Sequence, residues 1–271
     1  MTAILDAPGA QIYYKVRGTG PVLLLLPGGD GDADAFDGLA HHLEPDFTVV
    51  TFDRRGLSRS TATTAAASPR THADDAALVL AALTDSPALV FGTSIGAVIA
   101  MELAVRHQER VRIVVAHEPP VGALLPDAER TELVQAQLDV EDAYRRDGIA
   151  AAMMLFVRIA GFDIADREPD VPLAPLNPCR IRNLEYFLAH DVPAVREYHP
   201  DTVALRAVAD SIMPAVGETS VGPVPRCSSV LAQLLRSEIA TFPGGHNGPS
   251  FRPRAFADRL REILRSIPCA A

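Results

Sequence analysis

Residues 90–97 read Val-Phe-Gly-Thr-Ser-Ile-Gly-Ala. An apolar run enters a serine set between two glycines, and a helical pattern leaves it. In that strand–turn–helix context a serine hydroxyl is lifted clear of a sheet, at the positive end of a helix. Ser94 is therefore the candidate nucleophile. The competing reading of Gly92-Thr93-Ser94-Ile95-Gly96 is a plain tight turn. A hydroxyl attacks a carbonyl only with a base beside it. His246, which follows Pro243-Gly244-Gly245 after a short apolar run, is the candidate base. Six other histidines (His41, His42, His72, His107, His190 and His199) lie in helical or loop contexts and read as surface or partly buried side chains. His117 reads as a packed or hydrogen-bonded imidazole.

The third group required is a carboxylate that orients His246 and stabilises its cation. Two fit. Glu118 ends an apolar run and is stiffened by Pro119 and Pro120, which makes it the preferred acid. Glu218, just past residues 213–216, remains the alternative. An oxyanion needs backbone N–H groups aimed at it. Ile95 supplies one by position, and Gly29 in the Pro27-Gly28-Gly29 turn is the candidate for the other. That turn lacks the Lys-Ser/Thr pair and the glycine spacing of a phosphate cradle, and Asp30, Asp32 and Asp34 would repel phosphate. These aspartates are expected near the mouth of the site, where they disfavour anionic substrates. Asp30, Met153, Met154 and Phe156 are the candidate pocket residues.

The elements that must hold these groups follow from periodicity. Residues 10–16, 21–26, 47–52, 88–91 and 111–116 read as strands. Helical patterns over 35–43, 71–83 and 95–107 separate them. Residues 21–26 (Pro-Val-Leu-Leu-Leu-Leu) are apolar throughout, the pattern of a strand buried on both faces. Alternation of this kind predicts an α/β fold with a parallel sheet and right-handed crossovers. The rhythm breaks after about residue 120. Helical patterns at 127–146, 149–159, 180–190 and 195–208, with a proline-rich joint at 169–178, predict an inserted helical lid over 121–209. Strands at 213–216 and 238–242 and helices at 229–235 and 254–267 then complete a core of residues 1–120 and 210–271.

Of the 271 residues 48% are hydrophobic, enough for one sizeable core. The net charge of −9 and the lack of any Lys/Arg cluster exclude a nucleic acid or an anionic membrane as the expected partner. Cys179, Cys227 and Cys269 are scattered, without disulfide or metal-ligand spacing. The first residues carry no secretion pattern, and no apolar run is long enough to span a bilayer. A cytoplasmic protein acting on a small molecule, without metal or cofactor, is expected.

The order Pro27-Gly28-Gly29, Asp53-Arg54-Arg55-Gly56, Gly92-Thr93-Ser94-Ile95-Gly96, lid and Pro243-Gly244-Gly245-His246 resembles the α/β-hydrolase family. The resemblance implies an eight-stranded, mostly parallel sheet and a nucleophile–acid–histidine triad. The serine nucleophile separates the chain from dehalogenases and epoxide hydrolases, which use aspartate. Residues 110–120, ending His117-Glu118-Pro119-Pro120, are similar to the stretch of the zearalenone lactonases that reads His-Glu-Leu-Pro and supplies their triad glutamate. Phe52-Asp53 with Ser58-Arg59-Ser60, and the Pro-Gly-x-His segment, are shared as well. This favours Glu118 over Glu218. The lid departs from those lactonases, because the chain has no tryptophan to match theirs. The expected activity is hydrolysis of an ester or lactone of a neutral hydrophobic substrate through an acyl-enzyme. Its rivals are the same triad acting on an amide, a thioester or a C–C bond, or in perhydrolysis, and a non-catalytic ligand-binding protein of this fold.

Overall fold

The computed structural model describes residues 1–63 and 67–267; Cys269 lies outside them. The strands are β1 (Thr2–Ala7), β2 (Ala10–Arg17), β3 (Val22–Leu26), β4 (Thr48–Phe52), β5 (Thr61–Ala62), β6 (Ala88–Thr93), β7 (Val111–His117), β8 (Ile212–Gly217) and β9 (Ala240–Phe242). The α-helices are α1 (Asp37–Leu43), α2 (Pro69–Ala81), α3 (Ile95–Arg106), α4 (Asp127–Asp147), α5 (Ile149–Ile159), α6 (Pro178–Tyr186), α7 (Val192–Arg196), α8 (Thr202–Ala207), α9 (Pro223–Leu235), α10 (Gly248–Phe251) and α11 (Pro253–Ser266).

Eight strands form one continuous sheet in the order β1-β2-β4-β3-β6-β7-β8-β9, and the two-residue β5 adds to the edge of β2. Pairing is parallel from β4 through β9 and antiparallel at β1, β2 and β5. Helices cover both faces. The two-residue period sends Leu24 and Leu26 into a core shared with α2, α3 and α9, and Leu23 and Leu25 into one shared with α1 and α11. The sequence therefore reads apolar at every position of β3.

Several elements differ from the sequence expectation, three of them for reasons the residues show. β1 was not anticipated: it is an edge strand whose side chains alternate between exposed and half-buried, so it lacks a continuous apolar signature. The helix expected over 195–208 is two helices. Tyr198, His199 and Pro200 interrupt it, and the Asp201 carboxylate starts α8 by accepting from the N–H groups of Val203 and Ala204. Helix α9 begins at Pro223 rather than 229, because Gly222 turns the chain at φ 93° and a proline suits the first helical turn. Between β7 and β8 the chain contributes helices and no strand, and Val140, Ala143, Ala152, Phe187, Leu188 and Val192 form a small apolar core there.

The β6–α3 turn is the tightest junction. A Cβ on Gly96 would lie 2.1 Å from the Leu26 carbonyl oxygen, and one on Gly92 would lie 2.3 Å from that of Gly96. Both contacts are with backbone, which cannot swing aside. Gly96→Ala is expected to lower the unfolding free energy by about 3 kcal/mol or more, read from urea midpoints. A change under about 0.5 kcal/mol, the level of an indifferent surface substitution, would mean that α3 can retreat from β3 at little cost.

Candidate active site

Ser94, Glu118 and His246 arrive from three chain segments at the carboxyl ends of parallel strands, where α/β sheets place their ligands. Thr93 pairs with His117 across β6 and β7, so Ser94 and Glu118 each stand one residue past the end of adjacent strands. His246 follows β9 by a short glycine-rich loop. Ser94 has φ 54° and ψ −129°, and its N–H donates to the His117 carbonyl at 3.0 Å. Glu118 also has a positive φ, 50°, with its N–H held by the Ala215 carbonyl at 3.0 Å. Non-glycine residues in such conformations cost about 1–3 kcal/mol each and gather at functional sites.

His246 Nδ1 donates to Glu118 Oε2 at 2.6 Å, and the Gly217 N–H donates to Oε1 at 2.8 Å. Both side chains are buried. Burial alone raises a carboxyl pKa. Here the hydrogen bond from His246 and the neighbouring imidazoles outweigh it and hold Glu118 at about 2. An ionised carboxylate only accepts, so Nδ1 carries the hydrogen and Nε2 is left as the basic nitrogen. Glu218 does not reach His246. It is exposed, and its Oε1 accepts from the Gly244 N–H at 3.4 Å.

The Pro27–Gly29 turn runs beside Ser94: a Cβ on Gly28 would be 3.4 Å from Ser94 Cβ. Ile95 is buried as the first residue of α3. Ser94, Ile95 and His246 border one cavity with about 530 Å³ of open space including its mouth. Its walls are mainly apolar, with Leu133, Val140, Phe156, Phe187, Val192 and Val195 among them. Gln137 and Asp191 are its other polar side chains. A polar groove among Arg70, Glu102, Arg106 and Tyr198 lies instead at the carboxyl-terminal half of α3, away from Ser94.

Of the expected pocket residues, Phe156 lines the cavity and three do not. Asp30 is turned to Arg180, 3.3 Å away. Met153 packs partly buried against the small core of the insertion. Met154, about 100° further round the helix, points outward with 67% exposure. Nor do the loop aspartates present free negative charge at a mouth. Asp32 pairs with Arg59 and accepts from the Ser58 hydroxyl, while Asp34 is held by Lys15 and Arg59. Leu133, Gln137 and Val140 also line the cavity, and their spacing, which is the one signal of it in the sequence, places them on one face of α4.

His117 is packed and hydrogen-bonded, as its sequence context suggests, whereas His72 is more deeply buried than expected. His117 shares a 2.8 Å hydrogen bond with Thr93 Oγ1 and sits against Phe91, Phe242 and Phe256. Burial pushes it down to about 4, so it stays neutral near pH 7. His72, expected to be a surface or partly buried side chain, is fully buried; burial, with Arg54 and Arg55 nearby, keeps its pKa well below the usual range.

A family model described as the α/β-hydrolase fold matches residues 21–152. An uncharacterized hydrolase of Bacillus subtilis (strain 168), YraK, is 39% identical over 267 residues, 96% of this chain and 94% of that one. The chain belongs to the α/β-hydrolase family. A zearalenone hydrolase of Bionectria ochroleuca is 35% identical over 125 residues, 43% of this chain and 46% of that protein. A thermophilic esterase from Thermogutta terrifontis shares the α/β-hydrolase fold with a TM-score of 0.73 at 21% identity, covering 98% of both chains. Among the described residues of this α/β-hydrolase, no helix is long and apolar enough to cross a membrane.

Acid stability tests the two buried groups separately. A histidine whose folded pKa is depressed makes stability fall as pH drops from its ordinary 6.5 towards about 4. A carboxylate whose folded pKa is depressed makes it fall between its ordinary 4.5 and about 2. In denaturant titrations at stepped pH, His117→Gln is expected to flatten the upper limb and Glu118→Gln the lower. Wild-type slopes in both variants would refute these protonation states.

Proposed function

We propose that this chain is a serine hydrolase of carboxylic esters or lactones, with Ser94 as nucleophile, His246 as base and Glu118 as the acid of the triad. The observation that carries the reading is the buried His246–Glu118 hydrogen bond of 2.6 Å, formed at the rim of the cavity that Ser94 also borders. His246 Nε2 takes the Ser94 proton as Oγ attacks the carbonyl carbon. The imidazolium is stabilised by Glu118, which stays ionised. The N–H groups of Ile95 and Gly29 hold the tetrahedral oxyanion. Collapse expels the alcohol, which takes its proton from His246 and leaves an acyl-Ser94. Water, deprotonated by the same nitrogen, attacks that ester, and a second collapse releases the acid and restores Ser94.

The substrate is a neutral, largely hydrophobic small molecule. The cavity wall supports this: among the described residues that line it the one carboxylate is Asp191, whose charge is taken up by Arg54, and there is no lysine or arginine. Residues 121–209 act as the lid over the cavity, since helices α4, α5 and α7 supply most of its apolar wall. The likeness to the Bionectria ochroleuca zearalenone hydrolase, together with the resemblance of residues 110–120 to the zearalenone lactonases, lends weight to a lactone. That likeness covers 43% of the chain, and the chain has no tryptophan to match the lid of those lactonases, so it supports a class of bond and not a particular substrate.

The test is turnover of a short p-nitrophenyl ester and a panel of lactones. Ser94→Ala is expected to lose about 10⁴-fold or more in kcat, and Glu118→Gln about 10²- to 10⁴-fold. Glu218→Gln should stay within about threefold, as expected for an exposed group off the reaction path. Loss in Glu218→Gln alone would displace Glu118 as the acid. Ser94-dependent cleavage of amides or thioesters in preference to every ester and lactone would change the bond, and no Ser94-dependent turnover would refute the reading.

A further inference from the structure

The insertion does more than roof the cavity. Helix α6 passes into a five-residue π-turn, Phe187–Asp191, before α7 begins. Single π-turns within α-helices are frequent at functional sites. Four residues of this segment are spaced at helical intervals: Arg180, Asn183 and Phe187 touch the loop that carries Gly29, and Asp191 reaches it through Arg54. The Phe187 ring lies on Gly29 so closely that a Cβ there would be 2.4 Å from its Cδ2. Asp191 accepts from Arg54 Nη1 at 2.9 Å and Nη2 at 2.6 Å, and Nη2 also donates to the Gly29 carbonyl at 3.3 Å. The Asn183 amide donates to the Asp30 carbonyl at 3.0 Å, and Arg180 pairs with the Asp30 carboxylate.

Phe187 also starts an aromatic chain towards the opposite side of the site. It meets Phe156 edge-on at 4.7 Å, Phe156 meets Phe162 edge-on at 5.9 Å, and Phe162 stacks on His246 at 5.7 Å and 21°. One face of the insertion thus touches both the loop beside Ser94 and the histidine.

We propose that Phe187, Asp191 and Arg54 are positioning residues for the oxyanion loop, so that the loop is set for transition-state stabilisation only while the insertion is seated. The inference rests on the hydrolase reading, and on Gly29 as an oxyanion donor in particular. The Arg54–Asp191 pair supports it beyond its geometry. Both side chains are 1% exposed, and a buried ion pair stabilises no better than well-packed apolar residues of the same volume. What the pair offers that apolar packing does not is a directed hydrogen bond to the Gly29 carbonyl.

The experiment measures kcat and KM on an ester whose cleavage depends on Ser94. Alongside it, the affinity for an alkylboronic acid is measured, since the tetrahedral Ser94 adduct places an oxygen in the oxyanion site. Two changes are compared. The double variant Arg54→Met/Asp191→Leu removes the pair without stranding a charge, and Phe187→Leu relieves the ring from Gly29. Both are expected to lower kcat about 10- to 100-fold, a fraction of the loss from deleting an oxyanion donor outright. KM should move less than about threefold, with boronate affinity weakened in parallel with kcat. If the double variant is too unstable to assay, Phe187→Leu decides on the same readouts. Unchanged kcat and boronate affinity, with turnover still dependent on Ser94, overturn this inference alone. A rise in KM without loss of kcat overturns it too, by assigning the segment to substrate binding. Absence of any Ser94-dependent turnover in the unaltered chain overturns the hydrolase reading and this inference together.

Discussion

The site depends on a carboxylate that has no access to water. Glu118 can stay ionised at 0% exposure only because its two oxygens are met by the Gly217 N–H and by His246 Nδ1. Stripped of those donors, a buried carboxylate would take up a proton. The requirement propagates outward. Gly217 must end β8 beside β7, and β9 must end where its following loop can return His246 to Glu118. The parallel register of three strands is therefore written into one hydrogen-bonded pair. The same pair fixes the imidazole tautomer, which is the chemical condition for Nε2 to act as a base towards a hydroxyl.

The second constraint is distance between backbones. Ser94 stands at a positive φ because β6 must reverse into α3 within one residue, and glycines at 92 and 96 let the two elements and β3 approach to contact. Glu118 repeats the device one strand along, again with a side chain where glycine would be easier. Conformational strain of this size persists only where surrounding packing leaves no alternative. Here that packing is the pair of cores on the two faces of the sheet, with Leu24 and Leu26 on one and Leu23 and Leu25 on the other.

What could be read from the residues follows the same division. Central strands are buried on both faces, so their composition announces them, and the serine between Gly92 and Gly96 is announced by the glycines the close approach demands. The two acids were separable only in part: both Glu118 and Glu218 follow apolar runs, and local sequence cannot show that one carboxylate is enclosed while the other is exposed to solvent. β1 escaped because an edge strand needs no continuous apolar run. The pocket was least legible. Met153, Met154 and Phe156 form one apolar stretch, yet a turn of helix sends Met154 to solvent and Phe156 to the cavity. The aspartates at 30, 32 and 34 look like a negative rim until partners distant in sequence, Arg180, Arg59 and Lys15, are seen beside them.

The insertion shows why the legible part and the illegible part are physically different. A strand in a central sheet has one way to satisfy its backbone, so its sequence is narrowly constrained. Helices satisfy their own backbone and constrain only the face they pack. On α4 that face is Leu133, Gln137 and Val140, and a single polar side chain among apolar ones is compatible with packing, solvation or recognition alike. The π-turn at Phe187–Asp191 holds no glycine or proline of its own, and its one mark in the sequence is Pro193 just beyond it, which lacks the N–H that would reach back to residue 189. Its consequence is long-range: it aligns a ring with Gly29 and a carboxylate with Arg54, residues more than a hundred positions earlier. On the proposed reading, the turn that lifts Ser94 is encoded locally, where few residue types fit, whereas its acid and its cavity wall depend on contacts whose partners are far apart in the chain.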